Sequence, residues 1–114
     1  MNIDYITGSP ALPPYLAYPR FLLEMDLRLS SKEIYTILLD MTLHGKASVD
    51  KYGRRYLTFI NTEIAKLINR TPTTVSNALS ELEAVGLVKR HLVSRSSTQP
   101  YRTYIKLPVT EADS

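Results

Sequence analysis

Residues 61–86, NTEIAKLINRTPTTVSNALSELEAVG, hold two short helical patterns separated by a three-residue break. In the first, Ile64, Leu67 and Ile68 recur at the i, i+3, i+4 spacing of a core-facing helix. The second starts at Thr71-Pro72. A Thr side chain at the cap accepts first-turn amides, and Pro at the first helical position gives up an N–H that would have no partner there. Val75, Ala78, Leu79, Leu82 and Val85 then mark an apolar face, and Gly86 supplies the left-handed residue that ends the helix. At 100° per residue the opposite face carries Thr73, Asn77, Ser80 and Ala84, flanked by Thr74 and Ser76. These side chains are short and mostly polar, so another surface can approach closely. A second helix of this kind fits a groove-reading element.

Downstream, Leu87–Val93 and Tyr101–Leu107 are rich in β-branched and aromatic residues and read as strands. The polar run Ser94–Pro100 between them reads as the tip of a hairpin, a wing, with Arg95 placed to touch a phosphate or the minor groove. Upstream, Asp50–Gly53 is turn-like and Arg54–Ile60 is a further strand with Leu57 and Phe59 on one side. The expected order is α, β, α, α, β, β, with a core around Leu38, Ile64, Leu79, Leu82 and Leu87. The fold class is α+β: a winged helix-turn-helix with a three-helix core, a small three-stranded antiparallel sheet and an extended N-terminal arm.

The first helix of that core begins at Ser30-Ser31-Lys32-Glu33, a capping box in which the Ser30 hydroxyl and the Glu33 carboxylate satisfy each other's amides. It runs to Leu43 or His44 with Gly45 ending it, and its apolar residues cover more than one stripe. Either the N-terminal segment or a second subunit therefore packs on it. In that segment Pro10, Pro13, Pro14 and Pro19 interrupt any helix, and Tyr5, Tyr15, Tyr18 and Phe21 lie on extended backbone. Aromatic surface gains by leaving water, so Tyr15, Tyr18, Phe21 and Tyr35 are candidates for arm packing or a dimer contact, and the balance favours a homodimer. The boundaries are an arm over 1–29, a winged-helix domain over 30–108 and an acidic flexible tail over 109–114.

Charge is unevenly spread. The 114 residues carry a net +3, yet residues 51–107 hold ten Lys and Arg against three Glu, and the two flanks are acidic. A concentrated basic half is the footprint of a phosphate-binding surface. Thr73, Thr74, Ser76, Asn77 and Ser80 are the candidate base contacts, and Arg70, Lys89, Arg90, Arg95 and Arg102 the candidate phosphate contacts.

The chain has no Cys and its two His show no ligand spacing, which leaves no metal site; no other cofactor is expected. No Gly-rich phosphate loop, nucleophile elbow or carboxylate pair in an apolar setting is present, so no catalytic activity is expected. With no secretory leader and no apolar run long enough to span a bilayer, the expectation is a cytoplasmic protein with no membrane partner.

The segment Tyr18-Pro19-Arg20-Phe21-Leu22 through Leu29–Asp40 resembles the N-terminal domain of plasmid replication initiator A proteins. Gly53–Tyr56, Glu63–Ala65, Asn69–Val75, Leu79–Val88 and Tyr104–Lys106 extend the resemblance over residues 15 to 108. The Tyr-Pro-Arg-Phe arm joined to the Leu-Leu-Asp helix is its more diagnostic part, since the helix-turn-helix is shared with many winged-helix regulators. The resemblance implies binding of double-stranded DNA at repeats of a plasmid or integrative-element origin in low-GC Gram-positive bacteria, to start replication there. It also implies a C-terminal domain for contacts with host replication proteins, which this chain lacks, as a truncated or short relative would. In the family pattern the turn is often followed by Ser-x-x-Thr, where Thr71 and Thr74 stand here. The residues themselves leave two alternatives: a winged-helix transcriptional regulator, and a winged helix that docks protein.

Overall fold

A computed structural model of the chain describes residues 1–9, 11–45, 47–93 and 101–109. Three helices, α1 (Leu29–Leu43), α2 (Asn61–Ile68) and α3 (Pro72–Ala84), combine with β1 (Ser48–Val49), β2 (Arg55–Tyr56), β3 (Val88–Leu92) and β4 (Tyr101–Ile105). β3 and β4 form an antiparallel hairpin that pairs Val88 with Ile105 and Leu92 with Tyr101. β1 and β2 form a second, shorter hairpin, and a single bridge from Leu57 to Thr103 ties it to β4. The fold is a winged helix-turn-helix of the α+β class. Its third strand is shorter than the sequence suggests: Arg54–Ile60 yields a two-residue strand and one bridge, because backbone pairing with β4 stops at Leu57–Thr103 and residues 58–60 pair with no strand among the described residues. β1 was not legible at all.

One core unites the helices with the sheet. Ile34, Tyr35 and Leu38 from α1, Ile64 and Ala65 from α2, Val75, Ala78, Leu79 and Leu82 from α3, and Leu57, Leu87 and Val88 are all buried within it. α2 turns a different face inward from the one its spacing suggests: Ile64, Ala65 and Ile68 pack, whereas Leu67 is 66% exposed. Val85 is likewise 45% exposed, since it is the cap residue where the chain leaves the helix.

The arm departs from an extended backbone at its C-terminal end. Arg20–Glu24 forms a 3₁₀ turn that seats Leu22, 0% exposed, in the core. Phe21 packs edge-on against Tyr35 at 5.7 Å between ring centroids. The wide apolar girth of α1 is thus covered from within the chain, and the core reaches back past the boundary drawn at residue 30. The Ser30 capping box does not form either. The cap of helix α1 lies two residues earlier, at Arg28, whose N–H donates to Glu81 Oε1 at 2.9 Å; a carboxylate from α3 thereby replaces the local cap. Carboxylates are favoured at that end by the helix dipole. The Ser31 hydroxyl and then the Arg28 amide hold Glu81 below the usual carboxylate pKa, although Ser31 Oγ makes no hydrogen bond of standard geometry.

Candidate nucleic-acid interface

Helix α3 is aimed by its two ends and its inner face. At the start, Thr71 Oγ1 accepts the Thr74 N–H at 3.2 Å, and Pro72 occupies the first turn, as the sequence indicates. At the finish, Gly86 takes φ +86° so that its N–H reaches the Glu83 carbonyl and the Leu87 N–H the Leu82 carbonyl, at 3.1 and 3.0 Å. That double bond pattern is a Schellman motif, and it satisfies carbonyls the helix would otherwise leave open. The buried Val75, Ala78, Leu79 and Leu82 lock the inner face against α1 and α2. Between α2 and α3, Asn69 adopts a left-handed conformation at φ +54° and the Arg70 N–H returns to the Ala65 carbonyl at 2.9 Å. The turn is therefore fixed by backbone bonds, and Asn is among the few residues that tolerate that region.

Four of the five candidate base contacts, Thr73, Ser76, Asn77 and Ser80, are exposed together on the outer face of α3. Among the described residues no hydrogen bond engages their side chains, so their donors and acceptors are free for base edges. Thr74 differs. It is half-buried, and its hydroxyl lies 3.1 Å from Thr71 Oγ1, so it serves the cap.

The cations are divided among three places. Arg70 is exposed in the turn beside the start of α3. Arg90, on the inner side of the hairpin, is held by Glu83 of α3: its backbone N–H and guanidinium donate to the carboxylate at 2.8 and 3.2 Å. The Arg90 amide first, then the guanidinium, pull the Glu83 pKa down. Its guanidinium also lies 5.8 Å from the Tyr101 ring. This pair joins α3 to the wing and leaves Arg90 half-buried. Lys89 and Arg102 belong to the other face of the β3–β4 ribbon, because Lys89 pairs with Tyr104 and Arg102 with His91, one residue out of step with the core-facing Arg90–Thr103 pair. Arg95 lies outside the described residues.

The arm candidates also separate. Tyr35 is fully buried and donates its hydroxyl to the Lys106 carbonyl at 2.7 Å, with burial raising its pKa to about 12. It locks α1 to the end of β4 and offers nothing to a second subunit, and Phe21 is its packing partner. Tyr15 and Tyr18 remain exposed.

One cluster escaped the sequence reading. The Asp50 side chain accepts from the Tyr52 and Arg54 amides at 2.8 and 2.9 Å, from Arg54 Nε at 3.0 Å and from the Tyr104 hydroxyl at 2.9 Å. Desolvation by itself would raise the Asp50 pKa, but these donors outweigh it and hold the value at about 2. The alternation of basic and aromatic residues in Lys51–Tyr56 and Tyr101–Tyr104 was its available signal.

Among the described residues no group of three or more His, Cys, Asp or Glu could hold a metal ion, and no helix is long and apolar enough to cross a membrane. Compared with known proteins, residues 14–113 match the family described as "Replication initiator protein A (RepA) N-terminus". A solved structure described as "N-Terminal domain of DNA binding protein" aligns with a TM-score of 0.68 at 23% identity, over 88% of this chain and 80% of that one. A second, "Structure of Rep-DNA complex", aligns at 0.66 and 22% identity over 88% and 81%. A third, "Structure of MDR initiator", aligns at 0.69 and 20% identity over 88% and 83%. At these identities the three structures establish a shared fold. No curated protein matches the sequence.

Proposed function

Because the chain belongs to the family of replication initiator protein A N-terminal domains, we propose that it binds double-stranded DNA at repeats of a plasmid or integrative-element origin and so serves replication initiation. The observation that carries this reading is the outer face of α3, where Thr73, Ser76, Asn77 and Ser80 stand exposed, with no side-chain hydrogen bond among the described residues, on a helix braced at both ends. A major groove admits such a helix, and hydrogen bonds and methyl contacts to base edges supply the discrimination. Asn suits adenine and the Thr methyl suits thymine, and α3 contains no Arg to read guanine, so the site beneath it is rich in A·T pairs. Arg70 holds a phosphate at the helix start, with Arg95 of the wing as a second anchor. Arg90 stands outside that set, since it is committed to Glu83.

Binding and positioning are the whole of the proposed activity, with no chemical step. The exposed Tyr5, Tyr15 and Tyr18 of the arm support a homodimer, which matches repeated DNA with repeated protein. Sedimentation equilibrium at micromolar concentration tests it, and a monomer throughout that range removes it.

Fluorescence anisotropy with labelled duplexes tests the DNA reading. The protein should bind a duplex carrying the repeats of its own replicon at least about a thousandfold more tightly than a random duplex. Log K should fall linearly with log salt, by about 0.9 per phosphate neutralised. Equal affinity for both duplexes, or affinity that ignores salt, rejects the proposal.

A further inference from the structure

A wide concavity of the described residues lies away from α3. It is a groove of about 1190 Å³ between the C-terminal half of α1, the β1–β2 hairpin and the face of β3–β4 that carries Lys89 and Arg102. Six cations line it: Lys51, Arg54, Arg55, Lys89, Arg102 and Lys106. Among the described residues Asp50 is the only acidic one lining it, and Arg54 and the Tyr104 hydroxyl already engage its carboxylate. The groove therefore carries a net positive charge, which favours phosphate groups along it.

Tyr52, Tyr56 and Tyr104 alternate with these cations. The Arg54 guanidinium lies 4.9 Å from the Tyr52 ring and 5.4 Å from the Tyr104 ring. Arg102 lies 4.6 Å from the Tyr56 ring, and the Tyr56 and Tyr104 rings are 5.7 Å apart. Leu39, Leu43 and Val49 add aliphatic wall. Flat π-surfaces and guanidinium planes occur together along one positively charged path.

We propose that this groove binds single-stranded nucleic acid, with phosphates on the outlying cations and unstacked bases against the paired tyrosine rings and guanidinium planes. Single-strand sites combine these two elements, and stacking tolerates any sequence because every base has a π-face. A duplex keeps its base faces covered and would use only the cations. An acidic peptide has the charge but no planar groups for the rings. The groove includes no residue from the outer face of α3, so this inference and the duplex reading can fail separately.

The test is anisotropy of the full chain with a labelled oligothymidylate of about 12 nucleotides, a length within the range such sites occupy. Tyr52, 69% exposed in a turn, can be replaced without disturbing the core. Tyr52→Ala should weaken oligothymidylate binding about tenfold, while Tyr52→Phe restores it and duplex discrimination is unchanged. Lys89→Gln should reduce the salt dependence of single-strand binding by about 0.7 in slope. Four results would each overturn the proposal: no binding by the unmodified protein, no effect of Tyr52→Ala, equal affinity for an abasic oligomer of the same length, or equal displacement by polyglutamate.

Discussion

Asn77 carries two N–H donors and a carbonyl acceptor on a side chain short enough to sit flat against a base edge, and it is exposed at the middle of the α3 face. In the proposed complex, Asn77→Ala relaxes preference at one or two positions and costs roughly 1–3 kcal/mol of discrimination. Anisotropy against duplexes with single substitutions beneath α3 reads that loss, and an unchanged preference profile would remove Asn77 from the contact set. Asp50 supports a pH prediction. Its folded pKa, about 2, lies below the ordinary 3.8, so its carboxylate stabilises the fold above about pH 4 and that contribution is lost as pH falls toward 2. Asp50→Asn should flatten the stability profile across that window, as urea midpoints at each pH would record. The sequence around Asp50 shows only a turn, because a Tyr hydroxyl arriving from 54 residues away leaves no local trace.

Among the elements, α3 was legible to the residue at both ends because its start and stop are built from local chemistry. Thr71→Ala removes the hydroxyl that accepts the Thr74 amide and should cost roughly 0.5–2 kcal/mol. Gly86→Ala meets no neighbouring atom within 4 Å, so its penalty, roughly 1–2 kcal/mol, is the left-handed backbone alone. Urea denaturation of the two variants checks both values, and a neutral Thr71→Ala would show that packing, not the cap, fixes where α3 begins. Helix α1 shows the opposite case. Its Ser-x-x-Glu box is a sound local signal, but Glu81 of α3 meets the Arg28 amide two residues earlier, and that tertiary bond sets the helix start. The strand over Arg54–Ile60 shrinks for a related reason, since its tie to the main hairpin is the single Leu57–Thr103 bridge, a contact between segments far apart in the chain.

For the whole molecule, the arm divides into a part the fold requires and a part it does not. Residues 1–9 and 11–18 are exposed, whereas Leu22 is fully buried. Removing residues 1–14 should leave the melting temperature unchanged, while Leu22→Ala should cost roughly 2–5 kcal/mol. Thermal melts followed by circular dichroism separate the two, and a large loss from the short truncation would mean the first residues hold the fold. The charge pattern also resolves only at this scale. Ten Lys and Arg between residues 51 and 107 announced a phosphate-binding surface, but the two-residue period of β3 and β4 sends Arg90 inward to Glu83 and turns Lys89 and Arg102 to the opposite face. By itself the sequence determined the helix-turn-helix, the hairpin after it, the core residues of α3 and the polar face that face exposes, because caps, glycines and apolar spacing act within a few residues of one another. Tertiary structure alone decided which cations stand beside α3, what covers α1 and where the tyrosines and arginines of the groove meet, because those outcomes depend on strand register and on contacts between segments far apart in the chain.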